Sequence, residues 1–174
     1  MIKKVFTLLV MLSLQLSATH YNSTVLELEA KLFPKIILLS EQVDKDAIYL
    51  DIYIITKEID KESAQELKYL IEDYYPEKIS GKTIRVTLRE FENFKKKPDA
   101  LIVLHHSAKE LEKIALWANK NRIISLAYDP SYMQYGIIAS LYIGKVTKPY
   151  LNREVMQKYN FKFNPYLLKL SKFK

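Results

Sequence analysis

The sequence predicts an α/β domain: three layers around a mainly parallel sheet of strand order 2-1-3-4, followed by a C-terminal antiparallel hairpin and terminal helices. Three observations carry this. Short apolar, β-branched runs at 48–55, 100–104 and 123–127 alternate with stretches of helical period. Two Ser-x-x-Glu boxes, Ser63–Glu66 and Ser107–Glu110, mark helix starts between the runs. A chain of 174 residues with 3 Gly and no linker, repeat or low-complexity tract fits one domain. Strand–helix–strand units joined by right-handed crossovers then give a parallel sheet.

The first residues read as an address. Lys3 and Lys4 precede an apolar run from Val5 to Leu16, which closes on the small residues Ser17 and Ala18. This is the build of a secretory signal peptide at 1–18, cleaved after Ala18, with the folded domain at 19–174. The apolar core is about a dozen residues against the roughly 20 that span a bilayer, which disfavours the alternative of a retained anchor. The expected location is therefore outside the cytoplasm.

Thr24 to Glu41 places Leu26, Ala30, Phe33 and Ile37 on one helical stripe, with Glu27 and Glu29 as surface acids. Pro34 is expected to kink or split that helix. Ile48–Ile55 reads as a strand buried on both faces. A helix opens at Ser63, carries Ala64, Leu67, Ile71 and Tyr74 inward, and stops at Pro76. Tyr74 and Tyr75 read as half-buried packing. Thr83–Leu88 alternates polar and apolar residues, as an edge strand does. Lys95-Lys96-Lys97 reads as a solvated loop. Ala100–Leu104 is central, and the Ser107 box opens the next helix. After the strand Ile123–Ala127, the runs 137–143 and 146–150 flank Gly144-Lys145, read as a type II′ hairpin. Pro149 is expected to make the last strand an edge. Short helices at 152–159 and 166–172 would bury Leu167, Leu168 and Leu170.

Composition narrows the chemistry. Zero Cys removes disulfides, thiolate metal sites and cysteine nucleophiles. With 3 Gly the chain has no Gly-rich phosphate loop, and no catalytic or dinucleotide fingerprint occurs. The expectation is a non-enzyme without cofactor or metal. The net charge of +7 is concentrated: residues 145–174 hold eight Lys and Arg against Glu154 alone. Outside the cytoplasm such a basic tail suits anionic headgroups or an acidic partner surface rather than nucleic acid, with Lys158, Lys162, Lys169 and Lys172 as candidate contacts.

The sharpest local feature is His105-His106, between the end of the third strand and the Ser107 helix start. Ligands of open parallel sheets bind beyond the carboxyl ends of the strands, and a helix start favours anions. Thr56, His105, His106, Ser107, Tyr128 and Asp129, with Tyr132 nearby, are the candidate ligand-binding residues. A metal or a small acid would suit them. Adjacent residues leave a strand in different directions, which argues against joint metal ligation by the two histidines.

Several segments together resemble one family. These are Glu29–Phe33, Gly81–Val86, Ala100–Leu104, Ser125–Leu141, Pro149–Asn152 and Phe163–Leu170. They are similar to the YfiR-like family of periplasmic proteins, across nearly all of the mature chain. Departures are the missing cysteines, Tyr135-Gly136 in place of Gly-Gly, no Trp-Pro after the first helix, and Pro34 within it. The resemblance implies a non-enzymatic regulator that binds the periplasmic part of an inner-membrane signalling protein. That partner would be a diguanylate cyclase of the cyclic-di-GMP pathway or a histidine kinase, and homodimers are common in the family. The alternative is a small-ligand-binding periplasmic protein resembling one lobe of a solute receptor.

Overall fold

A computed structural model of the chain describes residues 21–91, 94 and 96–174. The signal-peptide reading of 1–18 lies outside the described residues, as does Lys95. No helix among the described residues is long and apolar enough to cross a membrane.

The chain runs α1 (Ser23–Leu38), β1 (Tyr49–Ile55), α2 (Lys61–Tyr74), β2 (Thr83–Arg89), β3 (Ala100–Val103), α3 (Ala108–Lys120), β4 (Ile124–Ala127), β5 (Ala139–Tyr142), β6 (Lys148–Leu151), α4 (Arg153–Tyr159), α5 (Pro165–Leu170) and β7 (Lys172–Phe173). Turns of 3-10 helix precede α2 and follow β4. The sheet has seven strands in the order β2-β1-β3-β4-β5-β6-β7. Strands β1 to β5 are parallel, β6 runs antiparallel to β5, and β7 runs parallel to β6. The predicted order 2-1-3-4 is observed.

Strand alternation sorts the core into two faces. Leu50, Ile52, Ile54, Ile102 and Leu126 pack with α1, α2 and the C-terminal Phe161, Phe163 and Leu167. Ile55, Leu101, Val103 and Ala127 pack with α3 through Leu111, Ile114 and Ala118. The second face is only partly covered, and no helix is found among the described residues between β2 and β3. Tyr49 is therefore exposed and Asp51 and Tyr53 are half-exposed, against the reading of β1 as buried on both faces. Aromatic packing of Tyr53, Phe91, Phe94 and Trp117 takes the place of a helix there. Lys96 and Lys97 are exposed, as the reading of a solvated loop has it, and Lys96 Nζ lies 2.6 Å from Asp51 in a surface ion pair.

Several local expectations change. Helix α1 runs unbroken through the buried Pro34, since tertiary burial of its stripe outweighs one lost hydrogen bond. Glu29 is fully buried in that stripe rather than on the surface. Helix α2 starts at Lys61 after the 3-10 turn, leaving Ser63 inside the helix, so the first box caps nothing. The second box is formed: Glu110 accepts from the Ser107 amide at 2.9 Å and from its hydroxyl at 2.7 Å. Gly144 does not take the positive φ that a type II′ turn needs, and residues 143–147 form a longer loop between β5 and β6. Strand β6 is not the edge, because β7 pairs with Tyr150 and Leu151. That pairing stops short of Pro149, so its missing amide hydrogen disturbs no ladder. Leu167 is buried, whereas Leu170 stays exposed.

Candidate functional site

The switch point of this sheet lies between β1 and β3. Chain order moves outward to β2 on one side and to β4 on the other, so the loops leaving β1 and β3 diverge and open a crevice at their carboxyl ends. Thr56 and Lys57 leave β1; His106 and Glu110 come from the β3–α3 turn and the first turn of α3; Glu90 and Phe91 follow β2; Lys113 stands one turn further along α3. Together these seven residues line a crevice of about 360 Å³.

Its electrostatics follow from the local fold. Glu110 lies 2.7 Å from Lys57 Nζ, and this contact, helped by the Ser107 hydroxyl and amide, holds its carboxyl down at about 2. Glu110 thereby occupies the anion position at the start of α3. His106 is buried at 5% exposure. Burial lowers its pKa, and its Nδ1 lies 3.3 Å from the Leu104 carbonyl oxygen. A neutral ring that donates there keeps Nε2 as an acceptor. Glu90 and Lys113 have no ion-pair partner among the described residues and are the exposed charges at the mouth.

The sequence candidates divide into two groups. Thr56 and His106 line the crevice; Ser107 does not, but as the α3 cap it bonds to Glu110, which does. His105, Tyr128 and Asp129 do not line it. The His105 amide donates to Tyr21 Oη at 2.7 Å, and its ring Nδ1 lies 3.2 Å from Tyr132 Oη. Tyr128 accepts from the Asn22 amide at 2.9 Å and packs edge-on to Tyr21 at 4.5 Å. Tyr21 in turn donates to Asp60 at 3.1 Å, and burial with the nearby Asp60 charge raises its pKa strongly. Asp129 accepts from the Ser131 amide at 2.8 Å and caps the 3-10 turn. The N-terminal end of the described chain thus seals the β3–β4 half of the rim, leaving the β1–β3 half open. Among the described residues no group of three or more His, Asp and Glu comes together as a metal site.

Sequence reasoning missed Lys57, Glu90, Phe91, Glu110 and Lys113. Glu110 was visible as a cap, but its contact with Lys57 spans 53 positions and has no local signature. The four tail lysines fall on α4, the α4–α5 loop, α5 and β7. Lys158 borders a second groove of about 380 Å³ between α3, α4 and the 3-10 turn after β4. Lys172 Nζ sits 3.5 Å from the Tyr142 ring centre.

No protein-family model and no curated protein matches the chain. Solved structures do share its fold. A conserved domain protein from Vibrio cholerae O1 biovar eltor strain N16961 is similar over 86% of this chain, with a TM-score of 0.58 and 14% identity. An ABC domain from Streptococcus pneumonia, solved in complex with L-Trp, is similar over 87% of it, with a TM-score of 0.52 and 12% identity. The chain spans 60% of the length of each. The fold is common ground. At such identities nothing about function follows from the likeness itself.

Proposed function

We propose that the protein is a non-catalytic binding domain that holds a small zwitterionic solute, of amino-acid size, in the crevice at the switch point. The observation that carries this is the charge arrangement there. A plain anion finds the α3 start already filled by Glu110, and Lys57 already matched. Among the described residues, Lys113 and Glu90 remain as a cation and an anion without an ion-pair partner, with the ring of Phe91 between strand end and helix. A zwitterion would set its carboxylate toward Lys113, its ammonium toward Glu90 and its side chain against Phe91. Buried His106 and Thr56 supply hydrogen-bonding groups at the floor. The crevice volume falls within the range of small-molecule sites, roughly 300–1,000 Å³. The L-Trp held by the Streptococcus pneumonia domain of the same fold is a zwitterion of this class.

Calorimetric titration of L-tryptophan and other L-amino acids into the purified protein tests the reading. Saturable binding is expected for at least one of them. Lys113→Glu and Glu90→Lys should each weaken it at least about tenfold, the equivalent of about 1.4 kcal/mol. Absence of saturation across the panel, or binding that both variants leave unchanged, contradicts it.

A second reading is the one implied by the YfiR-like resemblance: contact with the periplasmic part of a membrane signalling protein, from a periplasmic location. Exposed apolar side chains beside the basic tail support it. Tyr166 is 66% exposed and Leu170 46%, flanking Lys169, and Ile143 and Val146 are exposed on the β5–β6 loop. A ligand-loaded domain that docks through this surface would combine both readings.

A further inference from the structure

We propose that two copies of this chain pair through their β2 strands, antiparallel about a two-fold axis at Val86, to form one continuous sheet. The inference is independent of the crevice. The two ends of the sheet differ sharply. At one end β7 is two residues long, as short edge strands of monomers are. At the other, β2 pairs with β1 over seven consecutive residues, without a bulge or proline, and no strand of the described residues lies beyond it. The Thr83 amide donates to Ile48, and the Arg89 carbonyl accepts from the Thr56 amide. Odd-numbered residues of β2 therefore spend their main-chain groups on β1. Those of Ile84, Val86 and Leu88 point away from it, and no described residue bonds to them.

One self-complementary register pairs the whole strand without opposing like charges. With Val86 opposite its own copy, Ile84 meets Leu88 and Leu88 meets Ile84, so every outward main-chain group finds a partner. On one face the half-exposed Ile84 and Leu88 would cover each other. On the other face Arg85 meets Thr87 and Arg89 meets Thr83, so no like charges stand directly opposed. Arg85 already lies against Asp51 at 2.6 Å and over the Tyr49 ring at 3.8 Å, which draws its charge inward from the seam. A register shifted by two residues, with Arg85 opposite its own copy, would still pair outward main-chain groups, but it would oppose like charges and set Leu88 opposite Lys82, beyond the strand. The occupant that fits this edge is a second copy.

Sedimentation equilibrium of the purified protein should give twice the chain mass. Ile84→Lys with Leu88→Lys should reduce it to the monomer, and Ile84→Lys with Leu88→Glu should restore the dimer by pairing opposite charges across the axis. The chain has no cysteine. Val86→Cys would then bring the two Cα atoms about 5.5 Å apart, within disulfide reach, so mild oxidation of the folded protein should give a covalent dimer. A monomeric wild type, a dimer that the double lysine variant leaves intact, or failure of Val86→Cys to cross-link would each overturn the proposal.

Discussion

Both carboxylate oxygens of Glu29 lie in the core without a hydrogen-bond partner among the described residues, and burial raises its pKa well above the ordinary 4.5. An acid in that position stays protonated in the fold, and an unpaired buried polar group costs about 1–3 kcal/mol. Glu29→Leu is therefore expected to raise the urea midpoint by an amount in that range, with the slope unchanged. The pH dependence carries a sign. The folded state binds the proton more tightly than the unfolded one, so stability is complete below about 4.5 and falls as pH rises toward the folded pKa. Denaturation midpoints of wild type should drop across that interval, and those of Glu29→Leu should not. A variant less stable than wild type at neutral pH would contradict the account. The sequence shows Glu29 one position from the apolar residue Ala30 and three from Leu26, and nothing local marks it as buried; only the packing of α1 on the sheet does.

Helix α3 joins the fold to the site. Its start is fixed by the Ser107–Glu110 box, and the same Glu110 carboxylate reaches across to Lys57 beyond β1. Ser107→Ala is expected to cost about 1 kcal/mol of stability, as loss of a helix cap does. It should also loosen the position of Glu110 and weaken solute binding, read by the same titration. The Glu110 carboxyl is held below its usual value by Lys57 and Ser107, so its contribution is present above about 4.5 and lost as pH falls toward about 2. Both partners are 41% exposed, which limits the pair to about 1 kcal/mol or less. Glu110→Gln should therefore flatten acid unfolding only slightly. The strands, their order and this cap were legible in the sequence because apolar runs and capping residues act locally. The β4–β5 seam was not. It rests on a single paired position, with Ser125 accepting from the Ile138 amide and Ser140 donating to the Ala127 carbonyl. Buried hydroxyls that stand in for ladder bonds leave no periodic trace. The misplaced start of α2 has a related cause: the 3-10 turn ending at Asp60 opens the helix two residues before Ser63.

At the scale of the molecule, the sheet sets out where a solute and a partner copy would each be met. The crevice opens at the carboxyl ends of β1 and β3, and the β2 edge faces sideways, so the two would operate together. The rim was legible as a region, since strand ends before helix starts are visible in the sequence. Its division into a sealed half at Tyr21, His105 and Tyr128 and an open half at Thr56, Lys57 and His106 was not, because it depends on where the N-terminal segment lies. The most direct measurement of the central claim is a map of backbone amide shifts as an L-amino acid that saturates the protein is added. The account predicts that the largest shifts fall on Thr56, Lys57, Phe91, His106 and Lys113, with residues of the α3–α4 groove such as Lys158 unmoved. Shifts centred on that groove, or spread without focus over the surface, would contradict it.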